Sequence, residues 1–382
     1  MEATSSAPRS TARPFRHNIL LVHGIGEQAR GDALAGFTNG LYDYMHVKLD
    51  RQDGKHDWLH LDVDAEKASA TIQYDDGATR EEFYIKEVWW AKVFKPYPLT
   101  KVLVWLVSAL VGRFTKDRRW RSFQEPAALA LVVALAALGL VGFGALWLLQ
   151  NVPQVHTLMN SLQVWLQKRM SAMLVGVVGD VTIFTSDLFY ADVIRVVLEK
   201  ELAAVDADPV DGDITVVAHS QGSFISYETL ARSYREPLKK QVTFVSVGSP
   251  LDKIWWFLKE RHRYRFTNPL PPSVKRWLNI YSRYDLVADR LHTYDHPRLK
   301  PDNRLVTNSA FFLPGYFRDH SAYWGNYQVM ELLLEHVATS KYLGVRDEAP
   351  VRLTEMFTPI MQAQMVKLKN LSLPGLTRAR KK

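Results

Sequence analysis

Asp213-Ile214-Thr215-Val216-Val217-Ala218-His219-Ser220-Gln221-Gly222 is the stretch on which the reading of this chain turns. Ile214, Thr215, Val216 and Val217 are all β-branched, the composition of a short buried strand, and the run passes directly into Ala218. Ala218 and Gly222 are small enough for the backbone to fold back around Ser220, and residues 223–234 continue as a helical segment. Strand, sharp turn and helix, with a hydroxyl at the apex of the turn, is the local geometry that presents a serine for nucleophilic attack.

Such a serine needs a base to take its proton and an acid to orient the base. Residues 242–247, VTFVSV, read as the next strand and end at Gly248-Ser249-Pro250. Residues 277–281, WLNIY, read as another, followed by Ser282-Arg283-Tyr284-Asp285. An acid just past a strand end is well placed, so Asp285 is the preferred orienting acid. Asp252, which follows the preceding strand, and Asp289 compete for that role, whereas Asp319 is expected to face solvent. His320, in a loop ahead of an apolar helix around residues 329–337, supplies the base. The order serine, acid, histidine is that of the α/β-hydrolases.

Upstream, Asn18-Ile19-Leu20-Leu21-Val22 is an apolar strand that ends at His23-Gly24-Ile25-Gly26. The backbone N–H groups of Ile25 and Gln221, one from each loop, are the candidates for holding an oxyanion. His23 and Gly24 are assigned to the substrate side of this loop, the His23 ring bracing it rather than reacting. Ile254-Trp255-Trp256-Phe257-Leu258 precedes a run of cations. Trp255 and Trp256 are read as a lid or interfacial surface for acyl chains and anionic head groups, against the plainer reading of a core helix with a solvated end.

The 382 residues are 47% hydrophobic, enough for at least one sizeable core, and 48 Lys plus Arg against 40 Asp plus Glu leave a net charge of +8. That charge suits anionic lipid or nucleic acid, and the lack of any nucleic-acid motif favours lipid. There is no cysteine, which removes disulfides, thiolate nucleophiles and Cys-ligated zinc. No HExxH, EF-hand or GxxxxGK pattern occurs, and His292 and His296, spaced for one helical face, precede Pro297, which argues for a loop. Neither a metal nor a cofactor is expected.

Residues 127–149 read AALALVVALAALGLVGFGALWLL. As a helix this run would be about 34 Å long, against a bilayer core of about 30 Å. A membrane-embedded helix is expected there. Apolar runs at 102–112 and 173–178 are too short to span comfortably, and a basic cluster lies at 113–121. The strands before His23 and Ser220 must share one sheet, so any insertion between them crosses a membrane an even number of times or re-enters. With no secretory signal in residues 1–16, the catalytic part is expected on the cytoplasmic side.

Six stretches resemble the α/β-hydrolase serine esterases and lipases, and more narrowly the intracellular phospholipases that carry a DDHD domain. They are Leu21-Val22-His23-Gly24-Ile25-Gly26; Gly179-Asp180-Val181; Ala218-His219-Ser220-Gln221-Gly222-Ser223; Val247-Gly248-Ser249-Pro250-Leu251; Asn279-Ile280-Tyr281 through Asp285-Leu286-Val287-Ala288-Asp289-Arg290; and His320-Ser321-Ala322-Tyr323-Trp324. Ala218 stands where the elbow usually has Gly, and Leu286 where the family often has Pro. The resemblance implies hydrolysis of a lipid ester with Ser220 as nucleophile and Asp285 and His320 as its acidic and basic partners.

The expected fold is therefore α/β, an α/β-hydrolase fold with a mostly parallel sheet, helices on both faces and a membrane-associated helical insertion. Its parts are a mobile tail at 1–16, hydrolase segments at 17–98 and 186–345, the apolar insertion at 99–185, and an extension with a basic tail at 346–382. The expected function is a membrane-anchored serine hydrolase acting on a lipid or other acyl ester, with no nucleic-acid partner. The contrasting possibility is a catalytically silent membrane adaptor with the same fold.

Overall fold

The computed structural model describes residues 14–24, 29–50, 58–75, 79–91, 188–210, 212–232, 237–258, 269–282, 285, 287–288, 290–294, 296–308 and 319–339. In chain order the elements are β1 (Phe15–Val22), α1 (Asp32–Asp50), β2 (Trp58–Asp64), β3 (Ser69–Asp75), β4 (Arg80–Val88), α2 (Leu188–Ala207), β5 (Gly212–His219), α3 (Gln221–Arg232), β6 (Val242–Val247), α4 (Leu251–Leu258), β7 (Val274–Ser282), β8 (Asp302–Val306), a 3₁₀ turn (Tyr323–Gly325) and α5 (Tyr327–Val337).

The eight strands form one sheet in the order β2-β3-β4-β1-β5-β6-β7-β8. From β4 to β8 every neighbouring pair is parallel, whereas β2, β3 and β4 pair antiparallel. Burial mirrors this division. In β1 the six residues from His17 to Val22 are all buried, and so is every residue of β6, because central parallel strands are covered on both faces. In β4 burial alternates, with Glu81, Phe83, Ile85 and Glu87 inside.

The main core lies where α1 and α5 meet the sheet. Phe37, Leu41 and Met45 from α1 join Met330, Leu333 and Leu334 from α5 against Ile19, Leu21 and Val245. α1 reaches the 3₁₀ turn so closely that a Cβ on Gly40 would lie 1.9 Å from the carbonyl oxygen of Trp324. The approach of α1 is set from β4 as well, since the Glu87 carboxylate accepts the Gly31 N–H just ahead of the helix.

The chain divides into two compact units, one of Met1–Trp90, Arg195–Asp252 and Thr267–Lys382, the other of Ala91–Ile194 and Lys253–Phe266. The first holds the whole sheet. In the second the described residues are Ala91, 188–194 and 253–258. The apolar stretch at 127–149, the runs at 102–112 and 173–178, the basic cluster at 113–121 and the extension at 346–382 lie outside the described residues. Among the described residues no helix is long and apolar enough to cross a membrane.

Several boundaries differ from the sequence reading. β1 begins at Phe15, inside the segment read as a mobile tail, and Arg16 is held there by Glu82 at 2.7 Å and Asp208 at 3.2 Å. Pairing with β4 from Phe15 onward and with β5 from Arg16 onward outweighs the loose composition before it. Asp319, read as facing solvent, is fully buried, because its carboxylate receives the Ser282 hydroxyl at the end of β7. His320 belongs to helical backbone at residues 319–321 rather than to a loop.

Candidate active site

Ser220 stands at the junction of β5 and α3 with φ of +55°. A left-handed backbone is costly for a non-glycine residue and persists only where its surroundings impose it. Here the Ser220 N–H bonds to the Val247 carbonyl at 2.9 Å, and the Ser223 hydroxyl donates to the Ala218 carbonyl at 2.8 Å, tying both sides of the turn. Small residues make the closure possible. A Cβ on Gly222 would come within 2.4 Å of the Val22 carbonyl oxygen, and one on Gly24 within 2.8 Å of Ser220 Cβ. The loops after β1 and β5 are thus in contact, as adjacent parallel strands require.

His320 Nε2 lies 2.8 Å from Ser220 Oγ, and His320 Nδ1 lies 2.8 Å from Asp285 Oδ2. Serine, histidine and acid, 100 and 35 residues apart along the chain, make one connected line. The carboxylate is held on both oxygens. Oδ1 accepts the N–H groups of Val287 at 2.8 Å and Ala288 at 3.2 Å, and Oδ2 accepts the Tyr323 hydroxyl at 2.7 Å as well as His320. Burial by itself would raise the Asp285 carboxyl, but the His320 hydrogen bond and charge, together with Tyr323 and Val287, outweigh it and keep the group below its ordinary range. It is ionised at neutral pH.

Asp252, the competing acid, is engaged elsewhere. Its carboxylate accepts the N–H of His292 at 2.9 Å and of Thr293 at 3.2 Å, and burial raises its pKa against those bonds. Asp289 lies outside the described residues. His292 and His296 sit in irregular chain rather than on a helix. Among the described residues no cluster of acids and histidines could hold a metal ion.

The oxyanion side is described in part. Gln221 opens α3, and the first N–H groups of a helix have no acceptor within it. Its backbone N–H is therefore a donor available beside Ser220, while Ile25 lies outside the described residues. The Gln221 side chain is buried, and neither of its amide atoms has a hydrogen-bond partner among the described residues. His23 braces its loop. Its Nδ1 donates to the Gly24 carbonyl at 2.8 Å, its ring stacks on Trp90 at 4.9 Å, and Trp90 donates back to the His23 carbonyl at 3.0 Å. Burial pushes the His23 imidazole down to about 4, so it is neutral at physiological pH. Trp255 and Trp256 lie on α4 in the second unit; Trp255 is half-buried, and the Trp256 side chain lies outside the described residues.

Three residues that the sequence reading did not single out complete the site. His219 donates from Nε2 to the His320 carbonyl at 2.8 Å, and burial, with the neighbouring His320, pushes its imidazole down to about 3. Its ring lies 4.8 Å from that of His320 and 5.6 Å from that of Trp324. Tyr323 bonds Asp285 as above. Gly248, at φ of +61°, leaves room for the rings of Tyr323 and His219. The one available signal was their position within or beside the quoted motifs.

No family model, no curated protein and no solved structure matches this chain.

Proposed function

We propose that the chain is a serine hydrolase of α/β-hydrolase fold that cleaves a carboxylic ester of a lipid through an acyl-enzyme on Ser220. The observation that carries the reading is the unbroken line Ser220 Oγ, His320 Nε2, His320 Nδ1, Asp285 Oδ2, with 2.8 Å at each bridge. A serine in left-handed backbone at a strand-to-helix turn supports it, because that conformation has a cost and its result is a hydroxyl held at the apex of the turn, facing His320. The resemblance of the surrounding motifs to DDHD phospholipases, together with the apolar stretch at 127–149, favours a lipid as the acyl donor, with the membrane as its source and the cytoplasmic face as the working side.

Asp285, ionised and fixed by four donors, holds the Nδ1–H tautomer of His320, which leaves Nε2 free to accept a proton. As Ser220 Oγ attacks the acyl carbon, its proton passes to Nε2 and the carbonyl oxygen becomes an oxyanion facing the Gln221 N–H. Collapse of the tetrahedral intermediate breaks the ester C–O bond, and the imidazolium returns the proton to the departing alkoxide. Water then repeats the sequence on the acyl-Ser220 ester, releasing a carboxylic acid and restoring the hydroxyl. A single oxyanion donor is worth about 3 kcal/mol in such a step.

The test is labelling of the detergent-solubilised full chain with a fluorophosphonate, native against Ser220→Ala. Label on the native chain and none on the variant is expected. A folded native chain that takes no label overturns the reading and returns the fold to an adaptor role.

A further inference from the structure

Asp285 Oδ2 carries two hydrogen bonds. One comes from His320 Nδ1 and the other, at 2.7 Å, from the hydroxyl of Tyr323, a side chain 1% exposed. That hydroxyl in turn accepts the Ser282 N–H at 3.0 Å, so it is fixed to the end of β7 as well as to the acid. The site is shaped around it. A Cβ on Gly248 would lie 2.8 Å from Tyr323 Cε2 and 3.4 Å from Asp285 Oδ2, so a side chain there would displace the ring or the carboxylate.

We propose that Tyr323 is a positioning residue of the hydrolytic site, setting how much of the Asp285 charge reaches His320; the assignment rests on the reading of Ser220 as nucleophile. The phenol stays protonated, because burial and the Asp285 charge both raise it well above its ordinary value. It therefore always donates. A donor on Oδ2 draws negative charge away from the oxygen that faces His320, so Tyr323 holds the carboxylate rotamer while moderating the field on the imidazole. The other ionisable groups near this cluster are His219, whose ring is 5.9 Å from that of Tyr323, and Asp319, which is bonded to Ser282. His219 is neutral, and Asp319 adds a negative charge near the phenol.

A merely structural tyrosine would pin the turn after His320 through its ring alone. Two variants of the full chain in detergent separate the roles. Tyr323→Phe keeps the ring and removes the donor, while leaving the buried Ser282 N–H unpaired. Incorporation of 3-fluorotyrosine at position 323 keeps every bond and strengthens the donor, so it remains informative where Tyr323→Phe folds poorly. The readouts are the fluorophosphonate labelling rate against pH and the low-field proton resonance of His320 Nδ1, identified by its loss in His320→Gln.

For Tyr323→Phe the acid-side midpoint of labelling is expected to rise by about half to one pH unit, and the Nδ1 proton to move further downfield. The fluorinated chain is expected to shift both in the opposite direction. Unmoved readouts in both variants, or an equal loss at every pH, overturn the proposal. A native chain that takes no label while the Nδ1 resonance still responds to both variants sinks the hydrolase reading and leaves the coupling of Tyr323 to the Asp285–His320 pair standing.

Discussion

His17 Nε2 and Glu81 Oε2 stand 2.7 Å apart with both side chains sealed from solvent, and on the other side of the ring Nδ1 faces Asp213 Oδ1 at 3.2 Å. Both ring nitrogens thus meet carboxylates, which only accept, and the imidazole satisfies them together when it is doubly protonated. It joins β1 to β4 and β5 near the start of all three strands, far along β1 from the Ser220 turn. Burial alone would lower its pKa, but the bonds and charges of Asp213 and Glu81 outweigh burial and raise it.

A raised folded-state value fixes the sign of a pH dependence. The His17 contribution to stability is fully present below the unfolded pKa of 6.5 and is lost as pH rises through the folded value. His17→Gln is expected to cost about 3 kcal/mol at about pH 6, with the gap from the native chain narrowing as pH rises above the unfolded value of 6.5 and into the alkaline range. Thermal melts of both chains across that range check it. A gap that is constant or that widens with pH counts against an imidazolium.

The two candidate acids are separable by substitution. Asp285→Asn is expected to reduce the labelling rate by about 10⁴, because an amide no longer selects the productive tautomer of His320. Asp252→Ala leaves two backbone N–H groups unpaired, so it is expected to cost about 1–2 kcal/mol of stability while labelling stays within a few-fold of native. Melting curves and labelling rates measured on the same preparations assign each effect. The reverse pattern would transfer the role to Asp252.

Gly24→Ala tests the contact between the loops after β1 and β5. The added methyl would sit 2.8 Å from Ser220 Cβ and 3.3 Å from the His219 carbonyl oxygen, and neither neighbour is a flexible chain end. The turn has to shift by a fraction of an ångström, and labelling is expected to slow by about 10². The melting midpoint, read alongside, distinguishes a displaced nucleophile from a chain that has lost its fold. Native-rate labelling would show that the loop moves aside freely.

The parts of this architecture that were legible in the sequence are those whose physics is local. β5 and β6 are buried on both faces, so their residues form apolar runs that need no partner to be recognised, and the turn at Ser220 carries its small neighbours beside it. Asp285 and His320 could be named from chain order and strand ends. The edge β2-β3-β4 escaped, because its alternating residues such as Arg80, Glu82 and Lys86 read as ordinary polar chain until the antiparallel partner is known. Asp319 was misread since nothing within the sequence window shows that Ser282, 37 residues earlier, lies against it. Tyr323 and Gly248 were quoted only as parts of motifs, for the same reason: the Tyr323 hydroxyl meets an acid 38 positions earlier, and the Gly248 backbone makes room for it.

The pairing of β1 with β5 has a further consequence for how the protein is made. His17 and Asp213, neighbours across that pair, are 196 residues apart in the chain. At roughly 5–20 residues per second of synthesis, β1 waits about 10–40 s for this partner, with one edge of its hydrogen-bonding groups uncovered. About half of that interval is spent on the synthesis of residues 92 to 187 alone. The order of biogenesis is therefore built into the strand order: everything between β4 and α2 is made before β5 can pair with β1, and the turn at Ser220, which comes directly after β5, cannot be set against the loop after β1 until then.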